Sequence, residues 1–169
     1  MRLRPLRKVE RMLAYRSMQA AILGLSIAVA IPTAAQTTAQ GPSDEVVGKM
    51  REYALKNIHR ALCEASKPCA PATAAEIANP PISLEHARTA VLTGSGTALA
   101  DWCGLDGQRR NLLPMTRHVR QALRFNERQV ALMVLIHGIQ QGAVAEQLKS
   151  RGACDAATRE RLDAQLPKA

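Results

Sequence analysis

The sequence predicts an all-α fold: a small, disulfide-bonded bundle of four to five helices behind a cleaved N-terminal signal peptide. Three observations predict it. Apolar residues recur at helical spacing along most of the chain. Strand-type alternation of β-branched residues is absent, and after residue 35 the only aromatic side chains are Tyr53, Trp102 and Phe125, so a sheet has little raw material. Four cysteines, Cys63, Cys69, Cys103 and Cys154, follow an export-type leader.

The leader occupies residues 1–35. Arg2, Arg4, Arg7, Lys8, Arg11 and Arg16 against Glu10 form a basic n-region, and Ala20 to Ile31 is an uncharged apolar run. That run is shorter than the roughly 20 residues needed to span hydrocarbon. Pro32 ends it, and Thr33-Ala34-Ala35 places small side chains before Gln36, the first choice of cleavage site; cleavage before Gln40 is the second. Met12 is an alternative start. No adjacent arginine pair precedes the apolar run and no cysteine lies near the cleavage site, which argues against twin-arginine export and lipidation. The expected product is periplasmic or secreted, with no transmembrane span.

Removing the leader changes the charge argument. The chain carries 23 Lys and Arg against 14 Asp and Glu; residues 1–35 hold six and one of these, leaving 17 against 13. More than half of the basic excess lies in the leader, so the nucleic-acid reading that a basic chain invites is discarded. An even cysteine count in an exported chain reads as two disulfides. Of three possible pairings the preferred one is Cys63–Cys69 with Cys103–Cys154, the others staying open. No CxxC pair supports a zinc site.

Residues 36–42 read as a polar linker and 43–166 as a single helical domain. The first helix is expected from Asp44 to about Ala65, capped by Ser43, with Val47, Met50, Ala54, Ile58, Ala61 and Leu62 inward. Thr73 to Glu76 has the capping-box pattern of a short turn that Asn79-Pro80-Pro81 stops. A second long helix is expected from Ser83 to Trp102, kinked or broken at Thr93-Gly94-Ser95-Gly96 because glycine is a poor helix former. Cys103 to Gln108 reads as a loop. The next helix is expected over Leu112 to Arg124, with Leu112, Met115, Val119, Ala122 and Leu123 as its core face. Asn126 and Gln129 form a capping box for a helix from Glu127 to about Arg151, ended by Gly152. Its apolar first half makes it the central helix, with Gly138 and Gly142 as the place where another helix crosses closely. A terminal helix covers Ala156 to Leu166, with Leu162 and Leu166 inward.

No catalytic, phosphate-loop or metal-ligand signature appears, and no cofactor is expected. The expectation is a non-enzymatic protein that binds a protein or an envelope-surface partner of anionic character. The candidate contact is the arginine-rich stretch: Arg109, Arg110, Arg117, Arg120 and Arg124, followed by Arg128, with no lysine among them. On a helix Arg117, Arg120 and Arg124 share one face, and guanidinium groups suit bidentate contact with carboxylate or phosphate. The alternative is a small ligand-binding domain or hydrolase centred on His137 and the loop from Asp101 to Arg110, with Asp101, Trp102 and Asp106 as ligand-site residues.

Overall fold

The computed structural model describes residues 41–168. The expected leader, and residues 36–40 of the linker, lie outside the described residues. Those described form an all-helical structure of six α-helices with no strand, and no helix among them is long and apolar enough to cross a membrane. The helices are α1 (Asp44–Lys56), α2 (Ala74–Ala78), α3 (Leu84–Trp102), α4 (Leu113–Gln121), α5 (Glu127–Leu148) and α6 (Ala156–Gln165).

The core is aliphatic and centres on α5. Val130, Ala131, Leu132, Met133 and Ile136 are buried along it, and its most extensive partner is α3, with α1 packing on both. Val47, Ala54, Leu55 and Ile58 close the core from the α1 side, and Ala87, Ala90 and Val91 from α3. Polar side chains hold the ends together. Arg88 on α3 reaches Asp44 and the Pro42 carbonyl, and Arg51 on α1 donates to the Ile82 carbonyl at 2.8 Å.

Helix starts follow the sequence closely because capping is a local interaction. Thr73 with Glu76 and Asn126 with Gln129 both form reciprocal capping boxes. Ser43, Ser83 and Asp155 each accept a backbone N–H from the first turn of their helices.

Three expected spans are corrected. The first helix stops at Lys56, not near Ala65. The Asn57 side chain donates to the Tyr53 carbonyl at 2.9 Å, competing with helix continuation. A 3-10 turn, Ile58–Arg60, follows. It keeps Ile58 in the core but turns Leu62 outward, 61% exposed. Beyond it the Cys63 N–H donates to the Lys67 carbonyl at 2.7 Å, and the Cys69 N–H to Ala61 at 2.9 Å, closing a small hairpin-like loop.

Of the kink or break expected at Thr93 to Gly96, the break does not occur, and α3 runs unbroken. Its glycines serve a packing need. A Cβ on Gly94 would stand 2.5 Å from the His137 carbonyl oxygen, so the glycine lets α5 lie against α3. The close crossing expected at Gly138 and Gly142 is therefore found at Gly94; a Cβ on either α5 glycine would meet nothing within 4 Å.

The helix expected over Leu112 to Arg124 is shorter. A π-helical stretch, Gln108–Leu112, leads into α4, which ends at Gln121. Arg124 lies beyond it with φ +57°. Met115 and Val119 are buried as expected, while Ala122 is exposed and Leu123 is 38% exposed.

Two disulfides, Cys63–Cys69 and Cys103–Cys154, match the preferred pairing. The first closes the loop after α1. The second joins the end of α3 to the segment after α5, spanning the central helix pair. Both are compatible with an exported protein.

Candidate functional site

The loop after α3 is held by the groups that sequence reading marked as ligand-site residues. The Asp101 carboxylate accepts from the Gly107 N–H at 3.0 Å and from the Gln141 side chain at 2.9 Å. Asp106 accepts the Arg109 N–H at 2.9 Å, opening the π-helical turn. The Trp102 indole donates to the Gly152 carbonyl at 2.8 Å, bridging the same two segments as the adjacent disulfide. Arg110 turns away from this loop. Its guanidinium pairs with Asp163 and donates to the Asp163, Leu166 and Pro167 carbonyls. With its side chain only 12% exposed, it docks α6, and it holds the Asp163 carboxyl below the usual carboxylate range.

His137 is 1% exposed and belongs to a buried polar network between α3 and α5. Its Nε2 lies 2.9 Å from Thr97 Oγ1, which in turn donates to the Thr93 carbonyl at 2.9 Å. Asn111 donates to the same carbonyl at 2.8 Å and to Thr97 Oγ1 at 3.2 Å. The threonine has one hydroxyl hydrogen and gives it to Thr93, so it accepts from both neighbours. Valence thus assigns the His137 proton to Nε2. Burial pushes the imidazole pKa down, and the Asp101 charge offsets part of that. His137 lines none of the clefts described below.

The arginine stretch divides in two. Arg128, like Arg110, is structural: it pairs with Glu76 at 2.5 Å and donates to the Ala70 and Pro71 carbonyls, fastening α2 to the start of α5. That ion pair, with the Thr73 N–H, holds the Glu76 carboxyl down at about 2. Arg109, Arg117 and Arg124 are exposed and make no side-chain hydrogen bond or ion pair among the described residues. Arg120, 49% exposed, pairs with Glu127 at 2.8 Å. Three consecutive elements therefore supply the outward arginines: the π-helical turn, α4 and the residue region after it.

Two clefts flank α4. One, of about 440 Å³, is an apolar groove lined by Leu62, Val130, Val134, Leu135 and Gly138, with Arg60 and the Arg120–Glu127 pair among its walls. A shallower hollow beside Leu113, Arg117 and Arg120 lies next to it through the shared Arg120. The other cleft, of about 430 Å³, lies between α3 and α4. Its lining includes Glu85, His86, Asn111 and His118 above Met115 and Met133, with no lysine or arginine. His86 Nδ1 is 3.0 Å from Ser83 Oγ, and its ring meets Phe125 edge-on at 4.9 Å. Among the described residues no group of three or more His, Cys, Asp or Glu side chains is arranged to hold a metal ion.

Sequence reading missed Arg60 and Leu62, which it placed on the first helix. Periodicity carries no signal for the groove, because residues 60–62 and 130–138 meet only in the folded chain. Comparison with known proteins finds no matching family model, no similar curated protein and no similar solved structure.

Proposed function

We propose that this is an exported protein, periplasmic or secreted, that acts by binding an anionic protein partner rather than by catalysis. Its contact surface runs over Arg109, Arg117, Arg120 and Arg124. The observation that supports this reading most is that Arg109, Arg117 and Arg124 are exposed and have no acid of their own among the described residues. A protein that used arginines only to fasten its helices would pair them, as Arg110 and Arg128 are paired. Guanidinium groups are weakly hydrated and present fixed donor pairs, so exposed ones suit carboxylates on a partner. The burial of His137 and the internal hydrogen bonds of Asp101 and Asp106 favour binding over a hydrolase centred on those residues.

The test is recovery of partners from the native envelope with Arg109, Arg117 and Arg124 replaced together by serine, at two salt concentrations. Recovery should fall with the substitutions and, for the unaltered protein, with added salt. Recovery unchanged by both sinks the reading.

A further inference from the structure

We infer that the groove beside α5 is a docking site for an acidic amphipathic helix of the partner. The inference rests on the binding reading above and names the class of partner.

Three observations carry it. The first is the shape of the outer face of α5. Val134 and Gly138 line the groove at four-residue spacing, Gly142 follows one turn beyond it, and a Cβ on either glycine meets nothing within 4 Å. Val130 to Gly138 extends for about 12 Å, or roughly two helical turns. A backbone can approach closely there, as helices do wherever small residues line their contact.

The second is apolar surface. Leu62 stands 61% exposed at the groove, and Val134 and Leu135 are half-buried beside it. Leu62 is held outward by the disulfide-closed loop that begins at the next residue. An amphipathic helix covers such a surface with its i, i+3, i+4 and i+7 side chains.

The third is charge. Arg60 is exposed and makes no ion pair among the described residues, and Arg120 stands across the groove. The one acid in the lining, Glu127, is already paired with Arg120. Carboxylates flanking the partner's apolar stripe would meet the unpaired Arg60, beside the Arg120–Glu127 pair, in a lining that keeps a net positive charge. A second copy of this chain would instead bring one basic rim against another.

The experiment titrates the protein, as purified from cells and labelled with nitrogen-15, with a synthetic helix of about five turns built from Leu, Ala and Glu. A version with Lys in place of Glu is the control, and phosphatidylglycerol vesicles form a third arm. The acidic peptide should shift the amide resonances of Leu62, Val134, Leu135, Gly138 and Gly142, and bind about ten-fold tighter than the basic one. Gly138→Leu places a side chain in the groove where space is open, so circular dichroism and melting should be retained while affinity falls about ten-fold or more. Arg60→Ser should weaken binding and flatten its salt dependence.

The proposal is overturned if the acidic peptide gives no shifts at these residues, if the basic peptide binds equally, or if Gly138→Leu leaves affinity unchanged. Vesicle binding in place of peptide binding assigns the groove to lipid and also overturns it, as does self-association that Gly138→Leu abolishes. Arg109, Arg117 and Arg124 do not line the groove. Failure of the triple-serine test therefore strikes the arginine reading alone, and failure of the Gly138→Leu test strikes the groove alone.

Discussion

Gly94 and Gly138 are both glycines in the middle of long helices, and they face opposite environments. At Gly94 the α5 backbone comes so close that a Cβ would meet the His137 carbonyl oxygen at 2.5 Å. At Gly138, on the far side of α5, a Cβ would enter open space. The inner face of α5 is a sealed seam with a fully bonded polar network, whereas the outer face is an open apolar groove edged by arginines. Glycine costs helix stability at both places. At the first the cost is offset by close packing within the chain. At the second nothing within the described residues offsets it.

The disulfides repeat the contrast and give the largest expected effect. Cys103–Cys154 clamps the inner seam across 51 residues, and Cys63–Cys69 closes a separation of only six beside the groove. Loop-closure entropy assigns about 4 kcal/mol to the first and about 2 kcal/mol to the second. Denaturant unfolding of the two paired Cys→Ser variants should preserve that order. Equal losses would mean that the seam does not depend on its clamp.

The two glycines themselves come next, with opposite signs. Gly94→Ala should destabilise by about 1–3 kcal/mol, since a backbone oxygen cannot move aside cheaply. Gly138→Ala should stabilise by roughly 0.5–1 kcal/mol, the helix-propensity gain with no steric charge against it. Melting of both variants decides it; a stable Gly94→Ala protein would remove the distinction between the faces.

The smallest effect is a pH dependence confined to the seam. Burial lowers the His137 pKa below its ordinary 6.5, so below that value the unfolded chain binds more protons than the folded one. The stabilisation is complete above about pH 6.5 and is lost as the pH falls through the depressed folded value. Unfolding at pH 7.5 and at pH 5 measures it, and His137→Gln should remove this contribution. A His137→Gln protein with the same pH dependence would place the titrating group elsewhere.

Much of the fold was legible in the amino-acid order because its causes are short-range. Ser43, Thr73, Ser83 and Asn126 sit next to the N–H groups they cap, and both capping boxes formed. The preferred disulfide pairing was correct because one pair brackets a short loop and the other joins two helix ends. The errors share a different cause. Glycine propensity argues for a kink or break in α3, but the helix is not broken, and a neighbouring helix makes Gly94 favourable. Periodicity carried the first helix through Asn57, where a side-chain-to-backbone bond stops it. It carried the helix before Asn126 through to Arg124, which lies outside α4 in a left-handed conformation.

The candidate surface was half legible. Arginine clustering was visible, but the division between fastening and outward arginines was not. Asp163 lies 53 residues from Arg110 and Glu76 52 residues from Arg128, and no local pattern announces pairs at such distances. Helical class, caps and the short Cys63–Cys69 link are thus set by neighbours along the chain, where a few residues hold all the relevant interactions. Which glycine is packed, which histidine is sealed and which arginines remain outward depend on atoms that only folding brings together.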